Sequence, residues 1–329
     1  MERSGPDSAE SERPLISIVV CTFNRAHLLP GTIGSLLAQR YSPAEIVVLD
    51  DGSTDSTLEV LRGYGDRIRY ASQPNRGIAV ARTEASRLAR GELIAFHDDD
   101  DPMPADRLVL LHSALSRFPE AVMAVGDWAL VDGQGLPTGS RWLPDAGRRD
   151  PCLIEDSYRA VLWPTLPVAP HTTLFRKSHG DAVGWFDPQF CHAAEDKDFF
   201  ARLALLGPVV YVPEIVSYLR RDPSHESVTG NEPRTTFFAM QLYRKHLETA
   251  RKTDRPLLRR LRQRLRRSLE WIDRRSRLVD LPVEYFPDGY LDEWLPLIGM
   301  RERMIYRWKR TVRSLLRPGL RGTGRRGAG

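Results

Sequence analysis

Four consecutive carboxylates stand in the run His97-Asp98-Asp99-Asp100-Asp101. Such groups repel one another, and a site that crowds like charges holds a cation to relieve them; all-oxygen ligands favour Mg2+ or Mn2+. An isolated acidic run is more often a solvated turn. This one directly follows the apolar stretch Leu93-Ile94-Ala95-Phe96, and ligands of open α/β sheets bind outside the carboxyl ends of strands. A second acidic pair, Glu195-Asp196, lies far downstream. A carboxylate placed there can take the proton of a weakly acidic hydroxyl. Alternatively, the two acids simply open a helix whose dipole attracts them.

The elements that must position these groups are legible as alternating β-rich runs and helical patterns, the form of βαβ units in a mostly parallel sheet. Ile16 to Cys21 reads as a buried strand, and Leu28 to Gln39 as a helix with Leu29, Ile33, Leu36 and Leu37 at helical spacing. Glu45 to Leu49 is a second strand running into Asp50-Asp51-Gly52-Ser53. The next helix begins near Ser56, where Glu59 completes a capping-box pattern. Ile68 to Ser72 is a third strand, followed through Gln73 to Gly77 by a helix from Ala79 to about Ala89, with Gly91 as its stop signal. Leu93 to Phe96 is the fourth strand. Beyond Pro119, Val122 to Val131 reads as a strand, 132–135 as a turn and 139–150 as an irregular loop, with antiparallel additions expected. After Pro233 the chain turns helical and arginine-rich. One stripe there contains Leu257, Leu258, Leu261, Leu265, Leu269 and Ile272; another contains Met304, Ile305, Trp308, Val312 and Leu315. Residues 281–296, rich in Pro and aromatics, read as a lid or brace.

In order and spacing, Ser17 to Arg25, Val48 to Asp55 and Ile94 to Asp101 resemble the donor half of a GT-A fold, family 2 glycosyltransferase. Asn75-x-Gly77 with Ala81-Arg82, then Gly91-Glu92, resembles the family's middle segment, although its usual Asn after that Arg is Thr83 here. Gly184-Trp185-Phe186-Asp187 and Glu195-Asp196 resemble its Gly-x-Phe-Asp and Glu-Asp segments. The match covers roughly residues 15–230. It implies an inverting, metal-dependent enzyme with an Asp-x-Asp motif. By the same resemblance Thr22 and Phe23 line the base pocket, Asp51 meets the base or ribose edge, and Asp98 and Asp99 hold ribose and diphosphate. Asp100 carries the Mn2+ or Mg2+, and Asp196 is the general base. Arg82 contacts the donor or a nearby acid, or else forms an ordinary structural ion pair. His225 falls where the family's mobile loop closes over the donor, which makes it a candidate metal ligand, although an exposed loop histidine is the commoner case. Asp101 is expected to be no more than a helix cap. His171 and His192 are candidates for facing an acceptor. Trp128, Trp142, Trp163 and Trp185 are candidates for stacking on sugar rings, unless they are simply core.

The expected fold class is therefore α/β, a GT-A (Rossmann-like) mixed sheet flanked by helices, with a basic helical extension at the C-terminus. The expected boundaries are a disordered 1–13, a GT-A domain over 14–232 (donor half about 14–118, acceptor half about 119–232), a basic helical extension over 233–316 and a disordered 317–329. The 329 residues, 41% of them apolar, suffice for such a core. Three separated cysteines suggest neither a disulfide framework nor a zinc site. No apolar run is long enough to span a bilayer, so a cytoplasmic protein is expected, peripheral at the inner face of the cell membrane if the extension binds there. Residues 235–329 carry 24 Lys and Arg against 10 Asp and Glu, whereas the rest carries 24 against 33. The basic end suits packing with solvated arginines or an anionic membrane surface; no nucleic-acid reader motif accompanies it, and no nucleic-acid partner is expected. A dehydrogenase's Gly-x-Gly-x-x-Gly and a P-loop are absent, and Thr22-Phe23-Asn24-Arg25 stands where a sugar nucleotidyltransferase has its glycine-rich loop. The expected partners are a UDP-, GDP- or dTDP-sugar donor and a saccharide, lipid-linked or small-molecule acceptor. The competing reading is a catalytically degenerate GT-A protein acting as a membrane- or partner-binding module.

Overall fold

The computed structural model describes residues 13–132, 137–141, 150–163, 165–191, 193–220, 232–275, 294–298, 300 and 302–308. The chain divides into two compact units, Met1–Val228 and Thr229–Gly329.

In the first unit, β1 (Ile16–Thr22), β2 (Ala44–Asp50), β3 (Arg69–Ser72) and β4 (Leu93–His97) pair in parallel in the order β3-β2-β1-β4. β1, β2 and β4 are almost wholly buried, as expected for strands covered on both faces. The crossovers carry α1 (Leu29–Leu37), α2 (Thr57–Arg62) and α3 (Ile78–Leu88). α4 (Arg107–Arg117) leads to β5 (Met123–Val131), which pairs with β6 (Pro137–Arg141). Next come β7 (Cys152–Ile154), α5 (Ser157–Leu162), β8 (Thr173–Arg176), α6 (Lys177–Val183), α7 (Glu195–Leu203) and β9 (Val209–Arg220). β8 inserts antiparallel between β4 and β5, β9 runs parallel to β5, and β7 closes the far edge antiparallel to β9. The expected mixed α/β sheet is thus present, with nine strands among the described residues and antiparallel additions on the β5 side.

Four local expectations are corrected. Ser56 stands at the N-cap of α2 but makes no side-chain cap hydrogen bond; Asp55 Oδ1 instead accepts from Thr57 N at 3.0 Å. Gly91 does not cap α3, whose C-cap is the extended Ala89. A side chain at 91 would come within 2.6–2.7 Å of Leu15 O, Ser17 N and Ser17 Oγ, so glycine is required there by the close approach of β1. Asp101 does not cap a helix either, since α4 starts at Arg107 with Asp106 as its N-cap residue. Part of the region read as irregular, residues 139–141, belongs to β6.

In the second unit, α8 (Glu232–Thr253) packs against α9 (Arg255–Arg275). Leu257, Leu261, Leu265, Leu269 and Ile272 are fully buried, while Leu258 is half-buried. The first apolar stripe therefore serves packing. A short helix over 302–308 exposes Met304 and Trp308 from the second stripe; Val312 and Leu315 lie outside the described residues. So do His192, His225, Trp142, residues 281–293, the N-terminal residues 1–12 and the tail 317–329. Among the described residues no helix is long and apolar enough to cross a membrane.

Candidate functional site

The carboxyl ends of β1, β2 and β4 meet on one edge of the sheet, and their loops are tied to one another. Asp51 N donates to Thr22 O at 2.9 Å. Asn24, with φ 54° in the left-handed region that asparagine tolerates, accepts from Thr54 N at 2.8 Å, and its own N donates to Ser53 Oγ at 2.8 Å. Gly52, at φ +84°, lies so close to Asn75 N that a Cβ would sit 2.7 Å away. The buried Asp51 carboxylate accepts from Gln73 Nε2 (2.7 Å), Arg76 N (3.0 Å) and Gly77 N (2.9 Å). In this structure its hydrogen bonds therefore shape the 73–77 loop. Phe23 projects beside this edge, 44% exposed. The buried Thr22 hydroxyl lies against the Asp99 carboxyl and has no other hydrogen-bond partner among the described residues.

The acidic run is held by its backbone, which leaves its carboxylates for other work. Thr32 Oγ1 on α1 donates to Asp99 O at 2.9 Å, and His97 Nε2 bonds Asp101 O at 2.9 Å. Burial and the adjacent Arg107 push the His97 imidazole down to about 3, so it is neutral, with the Nε2 proton directed at the Asp101 carbonyl. Arg107 is fully enclosed; it bonds His97 Nδ1, Phe96 O, Pro170 O and Thr173 O. It joins β4, α4 and the turn carrying His171, and burial lowers it to about 9.

Electrostatically the run is uneven. Burial, then the Asp100 and Asp98 charges, push the Asp99 carboxyl up to about 7 against the opposing influence of Thr22 and Arg25. Burial also works against ionisation of Asp98, but the His171 hydrogen bond and the Arg82 charge outweigh it and hold that carboxyl well below its usual range. His171 Nδ1 lies 3.0 Å from Asp98 Oδ2; its Nε2 is buried and without a partner. Arg25 lies 3.9 Å from Asp100.

Arg82 joins the two acidic motifs. From α3 its NH1 donates to Glu195 Oε1 at 2.6 Å and its NH2 to Asp98 Oδ1 at 3.0 Å. Burial, then the neighbouring Asp196 charge, raise the Glu195 carboxyl above the ordinary range, while Arg82 opposes the rise. Asp196 is half-buried in the first turn of α7, and its Oδ1 accepts from Lys197 N at 2.6 Å. Its Oδ2 makes no hydrogen bond among the described residues. The residue before Glu195, Ala194, has φ 66°, an uncommon and strained conformation for alanine. α7 is anchored from behind: buried Asp198 pairs with Arg202, which donates to Val183 O and Trp185 O. Phe199 stacks on Phe186 at 4.3 Å and on Trp185 at 5.9 Å. Trp185 is therefore core, not a sugar platform; Trp128 and Trp163 are half-buried.

The structure thus brings Asp98, Arg82 and Glu195-Asp196 into one linked cluster, with Thr22, Phe23, Asp99 and Asp100 on the adjoining loops. Sequence reasoning missed the parts played by His97, Arg107 and Arg25. A signal existed for Arg107, which shares the buried face of α4 with Leu108, Leu111 and Leu115 where an apolar residue is expected. Among the described residues no three His, Cys, Asp or Glu side chains converge as a preformed metal cage. Mg2+ is ordinarily held by one or two carboxylates plus substrate phosphates, and Mn2+ suits the same oxygen donors. Crowded carboxylates such as Asp99 and Asp100 fit that demand.

A GT-A fold with paired acids at this edge defines a glycosyltransferase class, and the comparisons with known proteins agree. The structure overlays on S. aureus TarS 1-349 in complex with UDP-GlcNAc with a TM-score of 0.67 at 17% identity, covering 90% of this chain and 87% of that one. The sequence profile of Glycosyl transferase family 2 matches residues 17–184, and the chain belongs to that family. Among curated relatives, validoxylamine A glucosyltransferase of Streptomyces hygroscopicus subsp. limoneus is 38% identical over 39% of this chain and 37% of its own length. Hyaluronan synthase of Pasteurella multocida is 37% identical over 64% of this chain and 21% of its own. The chain thus spans well under half the length of these curated relatives.

Proposed function

We propose that this glycosyltransferase is an inverting enzyme that moves a sugar from a nucleoside-diphosphate sugar to an acceptor hydroxyl, in polysaccharide or glycoconjugate synthesis. The observation that carries the reading is Arg82, which holds an acid of the donor motif and an acid of the Glu-Asp pair on one guanidinium. Two sequence segments with separate chemical demands then serve one reacting centre. The complex of the similarly folded TarS with UDP-GlcNAc and the glycosyl-transferring relatives support a nucleotide-sugar donor.

In this mechanism Phe23 stacks on the base beside Thr22, and Asp51 sets the 73–77 loop while offering its remaining lone pairs to the ribose edge. Asp98, kept ionised by Arg82 and His171, and Asp99 position ribose and diphosphate. Asp100 would hold a divalent cation, Mn2+ or Mg2+, which would neutralise charge on the departing nucleoside diphosphate. Asp196 accepts the acceptor hydroxyl's proton as the new C1–O bond forms and the C1–O(phosphate) bond breaks. The attacking and leaving oxygens occupy opposite faces of C1, so configuration inverts. Arg82 keeps Glu195 paired beside the base. His225, outside the described residues, is retained only as a proposed additional ligand.

The acceptor is a saccharide, a lipid-linked saccharide or a small molecule, and the basic second unit meets an anionic membrane surface, which makes the protein peripheral. Thermal-shift titration with a panel of UDP-, GDP- and dTDP-sugars tests the donor reading. One base class should raise the melting temperature in Mn2+ and lose most of that shift in the Asp100→Ala variant. A panel with no shift under any metal condition would contradict the reading and favour a non-catalytic module.

A further inference from the structure

In the second unit, Arg251, Arg255, Arg259 and Arg262 line a cavity of about 630 Å3. Arg255, Arg259 and Arg262 recur at intervals of four and three, so they share one face at the start of α9, and Arg251 joins them from the end of α8. The cavity's one carboxylate, Glu302, is already bound by Arg266. None of the four arginines makes an ion pair among the described residues, and Arg262 Nε is buried without a partner. Helix stability does not explain them, because α9 has no acid in its first turn and cations at a helix start oppose the macrodipole. Four uncompensated guanidiniums around one cavity are a demand for an anion, and a guanidinium fork matches phosphate oxygens.

The rest of the lining is largely apolar. Leu258, Ile298 and Met300 contribute to it, and Met300 is 71% exposed. Met304 and Trp308 follow at four-residue spacing, 61% and 65% exposed. Exposed methionine and tryptophan beside unpaired arginines form the two-part chemistry of an interfacial anchor, an apolar edge for acyl chains and a basic edge for headgroups. A soluble anion would use only the basic edge.

Resting on the proposed contact of this unit with an anionic surface, we infer that the Arg251–Arg262 cavity is a phospholipid headgroup site. The arginines take the lipid phosphate, and Met300, Met304 and Trp308 enter the acyl boundary. This assigns the contact to one place on a unit that carries positive charge along most of its length.

Co-sedimentation of the full chain with phosphatidylcholine vesicles, with and without phosphatidylglycerol, tests the inference. The protein should partition onto phosphatidylglycerol vesicles. Each arginine near an anionic surface contributes about fivefold to partitioning, so the R255Q/R259Q variant should bind roughly 25-fold less. R260Q/R267Q removes the same charge from exposed positions of α9 outside the cavity and should lower binding far less. M304S/W308S should weaken binding at high salt, where the ionic part is screened. Equal losses in the two arginine variants would mean diffuse attraction and would overturn the headgroup site while leaving the surface contact standing. Displacement of the vesicles by glycerol phosphate at constant ionic strength, with no effect of M304S/W308S, would reassign the cavity to a soluble phosphate. Absence of wild-type binding would overturn both the surface contact and the site. Nucleotide-sugar binding, measured in parallel, is expected to be unchanged in all three variants, so the donor reading stands or falls separately.

Discussion

Replacing Arg82 with alanine removes the shared counterion of Asp98 and Glu195 and tests how the site is held together. Its guanidinium lies 2.6 Å from Glu195 and 3.0 Å from Asp98, with only 10% of the side chain exposed. Breaking a buried pair by deleting one partner costs about 3–5 kcal/mol, because the abandoned charge stays desolvated. The cost must also depend on pH. Asp98 has a depressed folded value, so its pairing stabilises the fold above the unfolded carboxylate range and loses that effect as pH falls through the folded value. Glu195 has a raised value, so it already disfavours folding as pH climbs through its titration, and losing Arg82 strengthens that penalty. The destabilisation of Arg82→Ala, measured by urea unfolding, should therefore already be present near pH 4, where Asp98 is still ionised, and grow to several kcal/mol by pH 8 as Glu195 loses its proton. Adding Glu195→Gln should restore part of it, with a coupling on the order of 2 kcal/mol in the double-mutant cycle. A pH-independent loss below about 1 kcal/mol, or strict additivity with Glu195→Gln, would refute the reasoning.

Other consequences follow from the same geometry. Phe23→Ala should raise the donor's KM about tenfold with little change in stability, since the ring is nearly half exposed and its proposed work is stacking. Gly52→Ala should destabilise the fold by about 2 kcal/mol, because a Cβ there meets Asn75 N at 2.7 Å in a left-handed conformation; calorimetry reads this directly. Asp99, raised to about 7, keeps a proton in the folded state that the unfolded chain releases near pH 4. Without a divalent cation, stability should therefore fall by up to about 2–4 kcal/mol between pH 4 and 7, and saturating Mn2+ should flatten that slope in thermal melts taken across the range.

The parallel half of the sheet was legible because its strands are covered on both faces and so read as continuous apolar runs, each stopping at a polar residue that marks a carboxyl end. The α9 stripe was legible because its period survives in spite of the arginines between the leucines. The insertion of β8 between β4 and β5 was not, since pairing between distant strands leaves no local pattern. The Arg82–Glu195 pair was invisible for the same reason, with its partners on separate helices far apart in sequence. Gly91 was misread because a glycine after a helix has two physical explanations, a left-handed cap or a close backbone approach, and only packing distinguishes them. The Asp51 carboxylate, assigned to the donor by resemblance, also proved to be what shapes the 73–77 loop.

The claim on which the account turns is that Asp196 removes the acceptor's proton in a single displacement. The measurement is transfer from the donor found by thermal shift, comparing wild type with Asp196→Asn and reading the product's anomeric configuration by NMR. The account predicts an inverted product and a fall in kcat of about 10²–10⁴-fold in Asp196→Asn with donor affinity kept. A retained configuration, or full turnover by Asp196→Asn, would contradict it.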